Sequence, residues 1–241
     1  MEGLAVTLRA PVASFRRPLD INFQRTLLLP PPTTCLGLAG AALGLSEREV
    51  WSRGSPLTSL KVAVLLEPSW VTGGDPAVTR DMWKVLKIKN KKIAERSPYF
   101  RELLFFPRYT ILFAGDKGLL CRLREAFFDP AYPLSLGRED ELARIETVEE
   151  TNFELGGPLF SGTMIPGDIR EMEVRVKLAS GMRIEPPTVE VLPLRFEVDK
   201  KGVRHPLRRQ VFTLIPLGTE LELPELESYS FRDRNFVWLN S

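Results

Sequence analysis

Two short loops near the start of the chain combine aromatic residues with arginine, SFRRP at 14–18 and FQRT at 23–26. An aromatic ring can stack on an unpaired base, and a guanidinium can form paired hydrogen bonds with a phosphate. The combination favours a single-stranded nucleic acid as the ligand. The composition fits equally well with Phe15 and Phe23 as anchors of the core, so both interpretations stay open here.

Basic residues also collect in one long segment. The chain has 33 basic and 31 acidic residues, so its net charge of +2 indicates no class of partner. Between 81 and 101, basic residues outnumber acidic ones, with lysines at Lys84, Lys87, Lys89, Lys91 and Lys92. Such a segment could follow a nucleic-acid backbone and make binding sensitive to salt, although solvent-facing lysines are the alternative. A second basic run, KKGVRHPLRR, occupies 200–209.

Residues suited to acid–base or metal catalysis are scarce. His205 is the one histidine, which excludes a two-histidine mechanism, and its setting in VRHPLRR is more typical of a surface loop. The GREDE run at 137–141 could hold a divalent cation, but such runs are more often solvated turns. We therefore expect no catalytic residue, no cofactor and no metal.

Cysteine usage and hydropathy indicate the compartment. Cys35 and Cys121 lie in apolar helical contexts, which predicts buried thiols in a reducing cytosol. No run of about 18 apolar residues occurs, and 1–15 resembles a strand more than a signal peptide. We expect a cytoplasmic protein with no membrane partner.

Hydrophobic periodicity predicts an α+β fold. We expect strands at 3–10 and 57–67, an insert at 68–100, a strand or pair of strands at 102–114, a strand at 141–155, and helices at 35–45 and 116–130. This β-α-β-β-α-β order is ferredoxin-like (RRM-like), with a long basic insert between the second and third strands. The domain would span 1–155, and 156–241 would form a small β-rich C-terminal part.

The first predicted helix follows three prolines and has almost no polar residues. Thr33 or Thr34 is expected to cap it, and Gly37 and Gly40 to let it approach a sheet closely. Its free backbone N–H groups at Thr33–Leu36 would suit a phosphate, although ordinary capping is the simpler interpretation.

The same stretch resembles a known family. APVASFRRP followed by QRTLLLPPPTTCLGLAGAALGLS is similar to the N-terminal signature of the CRISPR-associated Cas-five family, within the RAMP superfamily. AYPLSLGREDELA at 131–143 is similar to that family's P-x-x-LGR segment. The resemblance is strongest over 1–46 and 130–145.

The resemblance implies a subunit of a type I Cascade surveillance complex. Such subunits bind the 5′ repeat-derived handle of the CRISPR RNA and cap one end of the filament of Cas-seven backbone subunits. They also contact the large Cas-eight-type subunit, and the complex binds target DNA. The basic insert at 68–100 would be the family's thumb, which reaches over the guide.

The resemblance also implies a set of RNA-binding residues. Those matched to the family's segments, with Arg9 at the end of the first strand, are Arg9, Ser14, Phe15, Arg16, Arg17, Gln24, Arg25, Thr33, Thr34, Leu136, Gly137 and Arg138. The thumb lysines are assigned by position and charge alone.

One branch of the family cleaves precursor CRISPR RNA with a Tyr, a Lys and a His. Here His205 lies outside the ferredoxin-like half and has no adjacent lysine, so a non-cleaving member is expected. The alternative is a metal-independent endoribonuclease that uses His205 and a tyrosine such as Tyr109 or Tyr132. A third hypothesis is a RAMP protein that acts only as an adaptor between proteins.

Overall fold

A computed structural model describes residues 1–89, 92–177 and 185–240. As far as residue 128, the elements are β1 (Glu2–Arg9), β2 (Val12–Ala13), β3 (Phe23–Gln24), α1 (Pro32–Ala42), α2 (Glu47–Trp51), β4 (Lys61–Glu67), β5 (Ala77–Lys89), β6 (Lys92–Phe105), β7 (Arg108–Ala114) and α3 (Lys117–Phe128). From residue 144 onward they are β8 (Arg144–Asn152), β9 (Glu154–Leu155), β10 (Leu159–Phe160), β11 (Thr163–Pro166), β12 (Arg175–Lys177), β13 (Thr188–Val198), β14 (Arg204–Ile215), β15 (Glu220–Glu222), β16 (Tyr229–Phe231) and β17 (Arg234–Phe236). The fold is mixed, with many strands and few helices.

One seven-stranded sheet organises these elements, in the order β13-β14-β11-β4-β7-β1-β8. β1 lies between β7 and β8 and is antiparallel to both, while β4 pairs with the far side of β7. Because successive side chains of a strand point to opposite faces, β1 contributes Leu4, Val6 and Leu8 to the side covered by α1 and α3. Ala5 points to the other side, which the aromatic residues Phe153, Phe231, Phe236 and Trp238 cover.

Strands or helices occur near most of the predicted places in the first half, but several bounds differ, and β2, β3 and α2 were not predicted. α1 begins at Pro32 and not at 35, because a proline at the first helical position has its φ preset for a helix. The expected cap at Thr33 or Thr34 is therefore wrong, since both lie in the first turn and Pro31 precedes the helix without a side-chain cap. Gly40 lets α2 approach and not the sheet, because a Cβ there would overlap the Val50 side chain.

The insert forms a long antiparallel hairpin of β5 and β6. Strands of 13 and 14 residues span about 40 Å at a rise of about 3.3 Å per residue. The root of the hairpin pairs with β2, which directly precedes the SFRRP loop, and with β3, which begins the FQRT loop. The break expected at Pro107 is present, because Phe106 adopts a positive φ of 51° and β7 starts at Arg108.

Strands from beyond residue 155 continue the main sheet. β11 pairs with β4 through Thr163 and Leu65, and β14 and β13 follow it outward as a second long hairpin. Strands from both sides of the predicted boundary at residue 155 therefore belong to one sheet. Cys35 is buried as expected, whereas Cys121 is exposed on α3, so the prediction of a buried thiol there was wrong. Among the described helices, none has the length and apolar character needed to cross a bilayer.

Candidate nucleic-acid interface

A buried carboxylate joins the two segments that carry the sequence motifs. Glu141, only 1% exposed, accepts hydrogen bonds from the Ser14 backbone N–H at 2.7 Å and the Ser14 hydroxyl at 2.5 Å. It also accepts one from the Arg138 backbone N–H at 3.0 Å. Three donors satisfy the charge that burial would otherwise make costly. The loop at 14–17 and the LGR segment are therefore held together by one side chain.

Gly137 makes that contact possible. Its φ of +109° is unfavourable for other residues, and a Cβ would overlap the carbonyl oxygen of Ser14. Leu136, next to it, is buried and its N–H donates to the Glu141 carbonyl at 2.9 Å. In the LGR segment, leucine and glycine build the junction, and arginine is left to reach outward.

Arg138 reaches from this junction to the hairpin. Its guanidinium donates to the Gln24 side-chain oxygen and lies 5.1 Å from the centre of the Trp83 ring. Arg101, on the neighbouring strand, lies 5.8 Å from the same ring. Trp83 is 39% exposed, so its indole lies close to two guanidinium groups and still faces solvent. We call Gln24, Trp83, Arg101 and Arg138 the root cluster.

Arg101 also forms ion pairs with the carboxylates near the root cluster. Its nearest carboxylate is Asp81 at 3.2 Å, and Asp140 and Glu141 lie at 3.8 and 3.9 Å. These contacts neutralise Arg101, so Arg138 is the more available cation of the pair. Asp140 and Glu141 of GREDE thus serve as partners of arginine and, for Glu141, of the backbone. Within the described ranges, no group of three or more His, Cys, Asp or Glu is placed to hold a metal ion.

The opposite face of the hairpin root carries exposed aromatic residues. Phe23 and Phe100 lie 6.5 Å apart, and the Arg80 guanidinium lies 5.4 Å from the Phe23 ring. With Asp81 and Met82 they line a shallow cavity of about 360 Å³. An open cavity with aromatic walls and a guanidinium suits a stacked, unpaired base. Phe23 is thus available for stacking.

Phe15 agrees with the other interpretation that the sequence left open, that of a core anchor. Its ring is buried, 3% exposed, and packs edge-on against Tyr109 at 5.9 Å. The assignment of Phe15 as an RNA-contacting residue is therefore corrected, because its ring belongs to the core.

The thumb lysines divide between the two faces of the hairpin. Lys84 lies on the face of Met82 and Phe100, whereas Lys87 and Lys89 share the face of Trp83, as the two-residue period requires. Lys87 is paired with Glu95 at 2.7 Å. Lys84, Lys89 and Lys92 are exposed and have no ion pair within the described ranges. Lys91 lies outside the described residues.

The loop arginines differ in whether their side chains already have an acidic partner. Arg16 is exposed and has no side-chain partner in the described part of the chain. Arg17 is held by Glu190 of β13 at 2.8 Å. Arg25 forms two hydrogen bonds with Asp20, at 2.9 and 3.1 Å, and these lower the pKa of the Asp20 carboxyl. Of the three, only Arg16 is ready to contact a phosphate without losing a partner.

The remaining predicted residues do not join the root cluster. Arg9 pairs with Glu146 at 3.1 Å and lies over the Trp70 ring. Thr33 and Thr34 line a groove of about 380 Å³ along α1, which Gly137 also borders. The groove places the start of α1 beside the LGR segment.

None of the suspected catalytic groups is a member of the root cluster. The Tyr109 hydroxyl is buried and donates to the Leu28 carbonyl at 2.8 Å, and burial raises its pKa well above the ordinary value. Tyr132 is exposed and borders the α1 groove. His205 lies on β14, where its ring contacts Asp199 at 3.2 Å.

Sequence reasoning missed Trp83, Arg101 and Glu141. The position of Trp83 among lysines was a usable signal, because aromatic residues within a basic strand are typical of single-strand binding. Arg101 was counted only as charge. Glu141 gave no signal, because its importance depends on Ser14, which is distant along the chain.

Comparison with known proteins identifies the family. The family model described as CRISPR-associated protein (Cas_Cas5) matches residues 3–184. No curated protein matches the chain. A solved structure described as "Crystal structure of Cas protein" is 26% identical with a TM-score of 0.39, over 58% of each chain, so this chain spans little more than half of it.

Two further solved structures are similar over most of their length. A chain of a "CRISPR RNA-guided surveillance complex" is 16% identical with a TM-score of 0.54, covering 92% of this chain and 91% of that one. A chain of the type III-B Cmr-beta complex, bound to cognate target RNA and AMPPnP, is 11% identical with a TM-score of 0.53. It covers 91% of this chain and 86% of that one. These two likenesses show a shared fold, and the family match, which covers most of the chain, shows that this protein belongs to the CRISPR-associated Cas-five family.

Proposed function

We propose that this protein is the CRISPR RNA-binding subunit of a type I Cascade surveillance complex. It grips the 5′ repeat-derived handle, caps one end of the filament of Cas-seven subunits, and contacts the large Cas-eight-type subunit in a complex that binds target DNA. Family membership supports the CRISPR association. The observation that carries the RNA-binding role is the hairpin root, where Trp83, Phe23 and Phe100 are exposed beside Arg138 and Arg80.

We further propose that β1, α1, β4, β7, α3 and β8 form a ferredoxin-like unit, with the β5–β6 hairpin as its thumb. The spatial order β8-β1-β7-β4, with every neighbour antiparallel, supports this, as does the shared core that both helices make with one face of the sheet. The hairpin leaves the sheet between β4 and β7. Its exposed Leu86, Ile88 and Ile93 would be covered by a neighbouring subunit or guide RNA.

We propose that the subunit does not cut RNA. The buried Tyr109 hydroxyl already has an acceptor, and His205 is bound to Asp199 on a different strand from the root cluster. Neither arrangement favours a paired acid and base at the hairpin root. The competing endoribonuclease function would need Tyr132 or another group to cooperate with His205.

The test uses end-labelled repeat RNA with the purified protein in EDTA, read on native and denaturing gels. We expect a shifted, intact RNA and at least about fivefold weaker binding for Arg16→Glu, because Arg16 is an exposed cation in the loop that Glu141 joins to the LGR segment. Arg122→Glu, the same charge change on the exposed surface of α3, is the matched control.

Two results would overturn these proposals. A discrete cut that His205→Ala abolishes would establish the nuclease. Failure to bind repeat RNA, with protein partners still bound, would establish an adaptor.

A further inference from the structure

The outer half of the β13–β14 hairpin and the short helix α2 form a second basic region, far along the chain from the thumb. Two cavities with volumes of about 530 and 130 Å³ lie there, and Trp51 and Arg195 line both of them. Arg53 and Lys200 line the larger area, and Arg208 lines the smaller. We call Arg53, Arg195, Lys200 and Arg208 the outer basic surface.

Two of these arginines face each other without a counterion. Arg195 of β13 is the direct register partner of Arg208 of β14, and like charges directly opposite each other destabilise a sheet. Neither forms an ion pair with a carboxylate in the described part of the chain. A polyanion placed across the two strands would remove this repulsion.

Three arginines, one of them Arg195 of the surface itself, fix the positions of α2 and the hairpin. The Arg48 guanidinium donates to the carbonyls of Asp199 at 3.4 Å and Lys200 at 3.0 Å, and so ties α2 to the hairpin tip. Arg195 donates one hydrogen bond to the Ser52 carbonyl at 3.0 Å. Arg204 pairs with Glu47. The surface is therefore a fixed scaffold before any ligand binds.

The remaining cations are uncommitted. Arg53, Lys200 and Arg208 are exposed and have no side-chain partner among the described residues. Of the acidic groups in the lining, Asp199 is occupied by the backbone N–H groups of Lys201 and Val203 and by His205. Glu197 is exposed beside it, opposite His205, and is the group that would oppose an anion.

The aromatic residues here are packed differently from those of the thumb. Trp51 and Phe196 are half-buried and meet edge to face at 5.1 Å, and the Arg204 guanidinium lies over Phe196. No open pair of rings is left for an unpaired base. A ligand would be recognised through phosphates alone, and a duplex offers phosphates while hiding its bases.

We propose that the outer basic surface binds the phosphate backbone of a nucleic-acid duplex, independently of the single-strand site at the hairpin root. The inference does not rest on handle binding, because it uses a different set of residues on a different hairpin.

The test measures fluorescence anisotropy of the full chain with a short labelled DNA duplex of unrelated sequence, across a salt series. We expect Arg53→Gln combined with Arg208→Gln to weaken duplex binding about tenfold and to reduce the slope of log affinity against log salt by about 2. Binding of repeat RNA should remain within about twofold of the unmodified chain. Glu197→Gln, which removes the opposing carboxylate, should strengthen duplex binding.

Controls separate this site from the thumb and from general attraction to anions. Lys84→Gln combined with Lys89→Gln removes the same charge from the thumb and should leave duplex affinity within about twofold. Thermal unfolding of each variant checks that the fold is intact.

The proposal fails if the Arg53/Arg208 variant binds duplex as tightly as the unmodified chain. It also fails if a single strand of the same length binds this surface equally well, or if polyglutamate competes on an equal-charge basis, which would indicate an acidic protein. Loss of repeat-RNA binding in the thumb variant alone would bear on the proposed function and not on this surface.

Discussion

Two long basic hairpins project from the same protein and differ in what surrounds their charges. On β5–β6, cations stand beside exposed rings, and the loops at the root are locked by buried Glu141. On β13–β14, the rings of Trp51 and Phe196 pack against each other, and Arg195 stands opposite Arg208. Charge alone would class both as nucleic-acid surfaces. The exposure of aromatic rings distinguishes a site that can stack bases from one that can only contact phosphates.

The largest effect that separates the two hairpins should come from Glu141. Glu141→Ala removes the acceptor of three hydrogen bonds, two from the backbone N–H groups of Ser14 and Arg138 and one from the Ser14 hydroxyl. We expect the unfolding free energy to fall by about 2–4 kcal/mol, because buried donors lose their partner. Urea denaturation measures this.

Glu139→Ala makes the same chemical change at an exposed neighbour and is the control. Equal stability of both variants would contradict the role of Glu141 as the junction. The Glu141 variant should lose repeat-RNA binding while keeping duplex binding, since among the described residues the polar partners of Glu141 are Ser14, Arg138 and Arg101 and not the outer basic surface.

Trp83 should give the next largest effect. Trp83→Ala removes a ring that is 39% exposed between Arg101 and Arg138. Stacking of one base on a ring contributes about 1–3 kcal/mol to the binding free energy, so repeat-RNA affinity should fall by about tenfold or more when the ring is removed. Filter binding at constant salt measures the change.

Trp70→Ala supplies the matched control, because Trp70 is also exposed but packs against Phe106 and Arg9 away from the root cluster. An equal loss in both variants would mean that the root cluster is not the stacking site. Trp83→Phe should restore part of the affinity if a ring is what the base needs.

The sequence was sufficient for some of the longer elements, but not for the short elements β2, β3 and α2 or for the junctions between elements. Alternation of apolar residues in β1 and the apolar face of α3 depend on neighbours in sequence, and both elements were predicted close to their observed bounds. The start of α1 was misplaced because Pro31 and Pro32 were interpreted as loop, although proline is favourable at a helix start.

The candidate site was predicted only in part, because its residues lie in local motifs while their contacts join segments remote in sequence. Gly137 and Arg138 were assigned from the resemblance, and their contacts with the loop at 14–17 and with Gln24 follow from the fold. The partners of Arg17 and Arg25 could not be inferred, because Glu190 is remote in sequence and Asp20 looked like an ordinary loop residue. Burial of Glu141 depends on donors from two segments, which no local pattern encodes.

A smaller effect on stability should distinguish the second hairpin. Arg208→Gln removes one of two like charges that face each other across β13 and β14. The unfolding free energy should rise by about 0.2–1 kcal/mol in low salt, and the gain should shrink as salt screens the repulsion. Calorimetry in a salt series measures it.

Arg209→Gln is the control, because the residue directly opposite Arg209 is Pro193, which carries no charge. If Arg208→Gln destabilises the chain, Arg208 has a structural role, and the case for an uncommitted cation there is lost. A gain in stability together with a loss of duplex binding would show that the charge is kept for a ligand.

The smallest effect concerns the loop arginines of the first hairpin. Arg25 is held by Asp20, whereas Arg16 is free, so Arg25→Gln should lower repeat-RNA affinity by less than about twofold and Arg16→Gln by more. The hydrogen bond from Arg25 holds the pKa of Asp20 below its ordinary value of 3.8. The pair is therefore fully formed above pH 3.8 and is lost as the pH falls through the lowered pKa. An NMR titration of the Asp20 carboxyl should show this lowered midpoint, and Arg25→Gln should return it toward the ordinary value. A midpoint that Arg25→Gln leaves unchanged would mean that Arg25 is not committed to Asp20 and is as available to RNA as Arg16.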